Sequence, residues 1–130
     1  MNDFKANPQI KDGYTKVANE LLDALIKFPF SGSELRILLF VIRKTYGWEK
    51  TKDVIPFSQI SRATNLDLRY VKRIIKRLVG DNVLFKQRSP YGNILGLNKD
   101  YYNWKLWING VLNNKIDTGD GDKYYTSRGG

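Results

Sequence analysis

Between Ser58 and Val79 two helical hydrophobic periods follow one another with almost no chain between them. In SQISRATNLDLRYVKRIIKRLV, Ser58 is suited to cap a short helix that turns Ile60 and Ala63 inward and finishes at Thr64 and Asn65. Leu66 packs at the turn and Asp67 caps a second helix over residues 68–79, whose inward stripe is Val71, Ile74, Ile75 and Leu78. So short a connection forces the two helices to cross, and Asn65 tolerates the left-handed backbone that such a turn requires. Ile60, small Ser61, Leu66, Val71 and Ile74 then occupy the packing positions, and the rest of the chain must supply the core beneath them.

The flanking sequence can do so. Thr15 to Phe28 places Val17, Leu21, Leu22, Leu25 and Ile26 on one stripe of an amphipathic helix that Pro29 stops. Ser31 and Glu34 stand at capping-box spacing before a second helix, apolar almost all the way round, that reads as the buried centre and ends at Gly47. A polar link leads to the short β-like run VIPF at 54–57. Gly80, Asp81 and Asn82 end the second of the crossing helices. VLFKQRS and ILGL then flank the turn SPYGN, the pattern of a hairpin. Residues 99–109 are aromatic enough to pack back as a short helix, and Trp48, Trp104 and Trp107 read as core rather than as base-stacking residues. The order is helix, helix, short strand, helix, tight turn, helix, hairpin. That is a winged helix-turn-helix, mainly α with a small β-hairpin wing.

Charge is unevenly spread over the 130 residues. The net +9 lies entirely in residues 14–109, with seventeen basic against eight acidic side chains, whereas 1–13 and 110–130 are each neutral. The expected organisation is therefore an N-terminal tail over 1–13, a DNA-binding domain over 14–109 and a flexible tail or linker over 110–130. DTGDGD in that last segment lacks the acid spacing and the closing glutamate of a calcium loop, which favours the linker reading.

On a wheel centred on Val71, Ile75 and Leu78, residues Arg69, Lys72, Arg73 and Lys76 lie opposite, with Tyr70 and Arg77 flanking them. A solvated face selected for stability alone would mix Glu with Lys at i to i+4, because like charges at that spacing repel by a few tenths of a kcal/mol. Residues 68–79 contain no acid. Phosphates would compensate the repulsion, and a helix in this position fits a major groove with its N-terminal residues nearest the base edges. The expected DNA-binding residues are Ser58 and Gln59 on the first helix of the pair and Asp67, Leu68, Arg69, Tyr70, Lys72, Arg73, Lys76 and Arg77 on the second. Lys86, Arg88, Tyr91 and Asn93 join them on the hairpin. The partner is double-stranded DNA, read by a monomer that can pair on its site; a basic helix docking on an acidic protein is the rival reading.

Histidine and cysteine are both absent, which removes Ser-His and Cys-His nucleophilic pairs and the usual zinc ligands, and the acids are scattered. No enzyme, no cofactor and no metal are expected. Without a signal-like N-terminus, a membrane-length apolar run or any disulfide, a cytoplasmic location is favoured.

The stretch from Lys11 to Val79 resembles the N-terminal domain of the bacteriophage replication protein O family, the lambda-type origin-binding initiators. The resemblance covers roughly residues 12–104 and is most specific in GYTKVANELLDAL, in VIRKTYGW followed by Lys and Asp, in SQISRATNL and in GLNKDYYNW. It implies binding to repeated sites in a phage replication origin within the bacterial host cell. It also implies a separate C-terminal region, beyond the part matched here, that recruits host replication proteins. From the residues alone, a winged-helix transcriptional regulator would carry the same features.

Overall fold

A computed structural model of the protein describes residues 5–105. They form four helices and a three-stranded antiparallel sheet: α1 (Asn19–Lys27), α2 (Gly32–Thr45), β1 (Asp53–Val54), α3 (Phe57–Thr64), α4 (Leu68–Gly80), β2 (Leu84–Ser89) and β3 (Gly92–Leu97). Short 3-10 turns occur at Ile10–Asp12, Tyr46–Trp48 and Tyr101–Asn103. The architecture is mainly helical, as expected, but the sheet has a third strand that a hairpin alone lacks.

Helix α2 is the centre. Its first turn carries both halves of the capping box: Glu34 N–H donates to Ser31 Oγ at 3.1 Å and Ser31 N–H to Glu34 Oε1 at 2.7 Å. Ile37, Leu38, Val41, Ile42 and Thr45 are buried, and the helix touches α3, α4 and β3. Leu39 is 53% exposed, so the helix has a solvent side. It also ends differently from the expectation at Gly47. The chain tightens into the 3-10 turn, and the left-handed residue that reverses it is Glu49, with φ 60°.

The first helix begins at Asn19 rather than Thr15: residues 13–18 are not helical, and Ala18, in the cap position, is extended. Its buried stripe is Leu21, Ala24 and Leu25, continued by Phe28, at i, i+3, i+4 and i+7. Leu22 and Ile26 lie further round and are exposed, a correction to the expected stripe.

Two details of α3 also differ. Pro56, fixed near φ −63° and lacking an N–H to satisfy, precedes the helix in the cap position, so Ser58 is an internal residue. Ala63 is exposed, and its neighbour Thr64 turns inward instead, its hydroxyl donating to Ile60 O at 2.7 Å. The turn itself is as expected: Asn65 is left-handed at φ 60°, and Asp67 Oδ2 accepts from the backbone N–H of Arg69 at 3.0 Å and of Tyr70 at 3.4 Å. Val71, Ile74, Ile75 and Leu78 are essentially inaccessible. Asn82, left-handed at φ 64°, ends the segment.

Strand β1 is confined to two residues, since Pro56 and Phe57 are drawn into the start of α3; Asp53 pairs with Leu95 and Val54 with Ile94. The β2–β3 register runs from Leu84 opposite Leu97 to Ser89 opposite Gly92, which leaves Pro90 and Tyr91 as a two-residue turn. Gly96 is required by its surroundings: a Cβ there would lie 2.4 Å from the Phe85 ring and 2.6 Å from Thr51 O.

Beyond the sheet, the expected helix over 99–109 is a single 3-10 turn within the described residues. Trp104 follows it, fully buried, edge-on to Phe28 at 4.8 Å and Phe30 at 5.7 Å, with its indole N–H donating to Asn98 O at 2.7 Å. Tyr101 reaches α1, its hydroxyl donating to Glu20 Oε2 at 2.5 Å; burial, then that carboxylate, raises its phenol well above the usual range. Trp104 is core as expected. Trp48 is not: it stands 63% exposed. Trp107, the DTGDGD run and residues 110–130 lie outside the described residues, and residues 5–13 are exposed throughout.

Candidate nucleic-acid interface

Burying Val71, Ile74, Ile75 and Leu78 turns the opposite side of α4 to solvent, and Arg69, Lys72, Arg73, Lys76 and Arg77 are all exposed there. Their side chains are held in different ways. Among the described residues Arg69, Lys72 and Lys76 make no ion pair, so their charge is uncompensated. Arg73 lies over the Tyr70 ring, 5.3 Å from its centroid, a cation–π contact with a tyrosine that itself packs half-buried against the core. Arg77 turns away towards α2, where its Nε is 3.4 Å from Glu34 Oε2. Asp81 joins that corner; burial raises its carboxyl above the usual range, Glu34 adds to the rise, and Arg77 and Lys105 oppose it. Among the described residues, Arg77 is the one of the five basic residues on α4 that has a carboxylate partner.

The start of α4 is fixed by bonds that the residue pattern alone does not disclose. Ser61 Oγ donates to Leu66 O at 2.6 Å, and the guanidinium of Arg36, on α2, donates to Thr64 O at the end of α3. Together they tie both sides of the turn that sets the angle between α3 and α4. On the outer side of α3, Ser58 is exposed and Gln59 half-exposed. Arg62, four residues after Ser58 and exposed on the same side, extends this surface; its i to i+4 spacing from Ser58 was the signal for it. Leu68 is 37% exposed, and the carboxylate of Asp67 is occupied by the cap.

The hairpin stands beside this helix through contacts between β2 and α4. Lys86 and Arg88 are exposed at alternate positions of β2 and so share a side of the sheet. At the tip Tyr91 is 85% exposed, and Ser89 holds the turn by donating its hydroxyl to Gly92 O at 2.7 Å and accepting from Tyr91 N–H at 3.1 Å. Asn93 is half-buried on the adjoining strand. Contacts of α4 with α3 and with β2 bring the three elements that carry the expected residues together, with Arg77 set apart by Glu34. Among the described residues no group of three or more metal-ligating side chains comes together, and no helix is long and apolar enough to cross a membrane.

The arrangement defines a small basic domain with an acid-free, exposed helix face carried on a buried helical core. The chain belongs to the bacteriophage replication protein O family, whose model matches residues 6–104. Replication protein 15 of Enterobacteria phage phi80 is 34% identical over 97 residues, covering 75% of this chain and 32% of that protein. Replication protein O of Escherichia phage lambda is 34% identical over 95 residues, 73% of this chain and 27% of that one. DNA replication protein gp18 of Salmonella phage P22 is 32% identical over 102 residues, 78% and 36% respectively. The chain thus spans about a third of the length of these curated relatives. No solved structure matches it.

Proposed function

We propose that this chain is a winged helix-turn-helix that recognises a specific double-stranded DNA site in a phage replication origin, with α4 as the recognition helix and the β2–β3 hairpin as the wing. The observation that carries the reading is the face of α4: exposed, cationic, free of acids, and backed by a stripe with no solvent access. Membership of a family of phage replication proteins supplies the context. The proposed organisation is a DNA-binding domain over 14–109 between two charge-neutral ends, acting as a monomer that pairs on its site in the bacterial cytoplasm. The protein works by binding rather than by catalysis, and host replication proteins are engaged through a region outside these residues.

The side chains divide by task. Arg69 and Arg73 are the base readers, Lys72, Lys76, Arg62, Lys86 and Arg88 contact phosphate, and Ser58, Gln59, Tyr91 and Asn93 make the polar contacts that fix the register. The test is affinity for an origin site and for random duplex at several salt concentrations. Arg69→Ala or Arg73→Ala should cost about 1–3 kcal/mol on the specific site and relax preference at one base position. Lys86→Ala or Arg88→Ala should weaken both duplexes alike and reduce the logarithmic salt slope by roughly 0.9 per lost contact. If none of the four variants changes either affinity, the basic helix serves a protein partner and the proposal fails.

A further inference from the structure

A second surface combines basic and aromatic side chains, and it is built without α3, α4 or the hairpin. Where α2 tightens into the 3-10 turn Tyr46–Trp48, the extended N-terminal segment crosses it and leaves an open groove of about 390 Å³ lined by Lys11, Tyr14, Lys16, Tyr46, Gly47 and Glu49, among others. Gly47 marks how closely the two segments meet: a Cβ there would lie 2.7 Å from Arg43 Nη1 and 3.2 Å from Thr15 Oγ1. Tyr14 is 61% exposed and Trp48, next to Gly47, 63%. Exposed Lys11 and Lys16 line the groove with Tyr14, exposed Arg43 reaches Gly47, and among the described residues none of the three makes an ion pair, Glu49 being the one acid in the groove's lining.

Two large aromatic rings in solvent serve no packing purpose, and uncompensated cations beside them favour a polyanion. Apolar rings for stacking and cations for phosphate are the two components of a surface that holds single strands, whose unpaired bases offer open π faces that a duplex hides. We propose that the Tyr14–Trp48 surface binds single-stranded nucleic acid, the bases stacking on the two rings and the phosphates lying on Lys11, Lys16 and Arg43. The site is independent of the α4 face, so the chain holds duplex and single strand through different residues.

The experiment measures binding of the full chain to labelled oligothymidylate, to an abasic oligonucleotide of the same length and to the specific duplex. Oligothymidylate should bind more tightly than the abasic strand. Trp48→Ala and Tyr14→Ala should each lower its affinity about ten-fold or more, and Trp48→Phe should retain most of it. Duplex affinity should be unchanged in these variants, whereas Arg69→Ala should affect the duplex alone. Equal binding of the thymidylate and abasic strands would overturn the proposal by showing charge without stacking. So would a parallel loss of duplex affinity in Trp48→Ala, which would assign the ring to the duplex interface, or a dimer that Trp48→Ala dissolves in a chain that ignores oligothymidylate. Should Trp48→Ala fail to fold, by circular dichroism, Tyr14→Ala carries the same test. No duplex recognition by the unmodified chain, with its strand binding intact, would instead overturn the α4 assignment and leave this one standing.

Discussion

Arg73 and Arg77 stand one helical turn apart on α4 and have opposite surroundings: one rests on an exposed-edge tyrosine ring, the other reaches a carboxylate that is itself part of the α2 cap. Removing the Arg77 guanidinium leaves Glu34, only 11% accessible at its side chain, beside Asp81 with no opposing charge at that distance. Because Arg77 is half-exposed, solvent screens much of the pair. Arg77→Ala is expected to lower stability by about 1 kcal/mol while leaving the base preference intact. Urea unfolding alongside site selection from random duplex checks both halves; a changed base preference would return Arg77 to the reading face. The wheel placed Arg77 at the flank of the cationic face, which was right as angle, but it had no access to Glu34, more than forty residues earlier in the chain. Trp48 escaped the same reasoning for a related reason. A tryptophan after a long apolar helix has the composition of core, and only the 3-10 tightening of the chain at Tyr46 turns it outward.

At the level of elements, what could be read locally was read. The α3–α4 turn, the capping box and the hairpin turn are each specified by neighbours within four positions, and Asn65, Asp67 and the Ser31–Glu34 pair do what their types dictate. The starts of α1 and α3 and the inward position of Thr64 were missed, because packing against other elements decides them: Thr15 packs beside Gly47, and Thr64 rather than Ala63 joins Ile60 in facing the core. Asn65 offers a direct measurement of how much the turn depends on its residue type. Asn65→Gly should be tolerated, whereas Asn65→Val, forcing a β-branched residue to φ 60°, should destabilise the protein by about 1–2 kcal/mol and weaken duplex binding in proportion to the population unfolded. Chemical denaturation of the two variants gives the difference, and equal stabilities would mean that the turn relaxes out of the left-handed region.

For the whole molecule, Trp104 closes the core: its indole plugs the space between Phe28 and Phe30, and Tyr101 fastens the same segment to α1. The matched family region ends at that residue, 104. A short strand was expected at 54–57, but not its partner: β1 is two residues, Asp53–Val54, that pair with a strand lying beyond both crossing helices. Its consequence concerns the order of events during folding. The β2–β3 hairpin and the α3–α4 pair are local and can form early, but β1 can join β3 only after the chain between them has been gathered into a loop. A contact made that late stabilises the native state without lowering the folding barrier. Val54→Ala should therefore speed unfolding and leave the refolding rate nearly unchanged in stopped-flow chevrons, and a comparable slowing of refolding would place the strand in the nucleus instead. This two-residue strand then acts as a retaining clip, setting how long the α3–α4 pair stays folded rather than how fast it assembles.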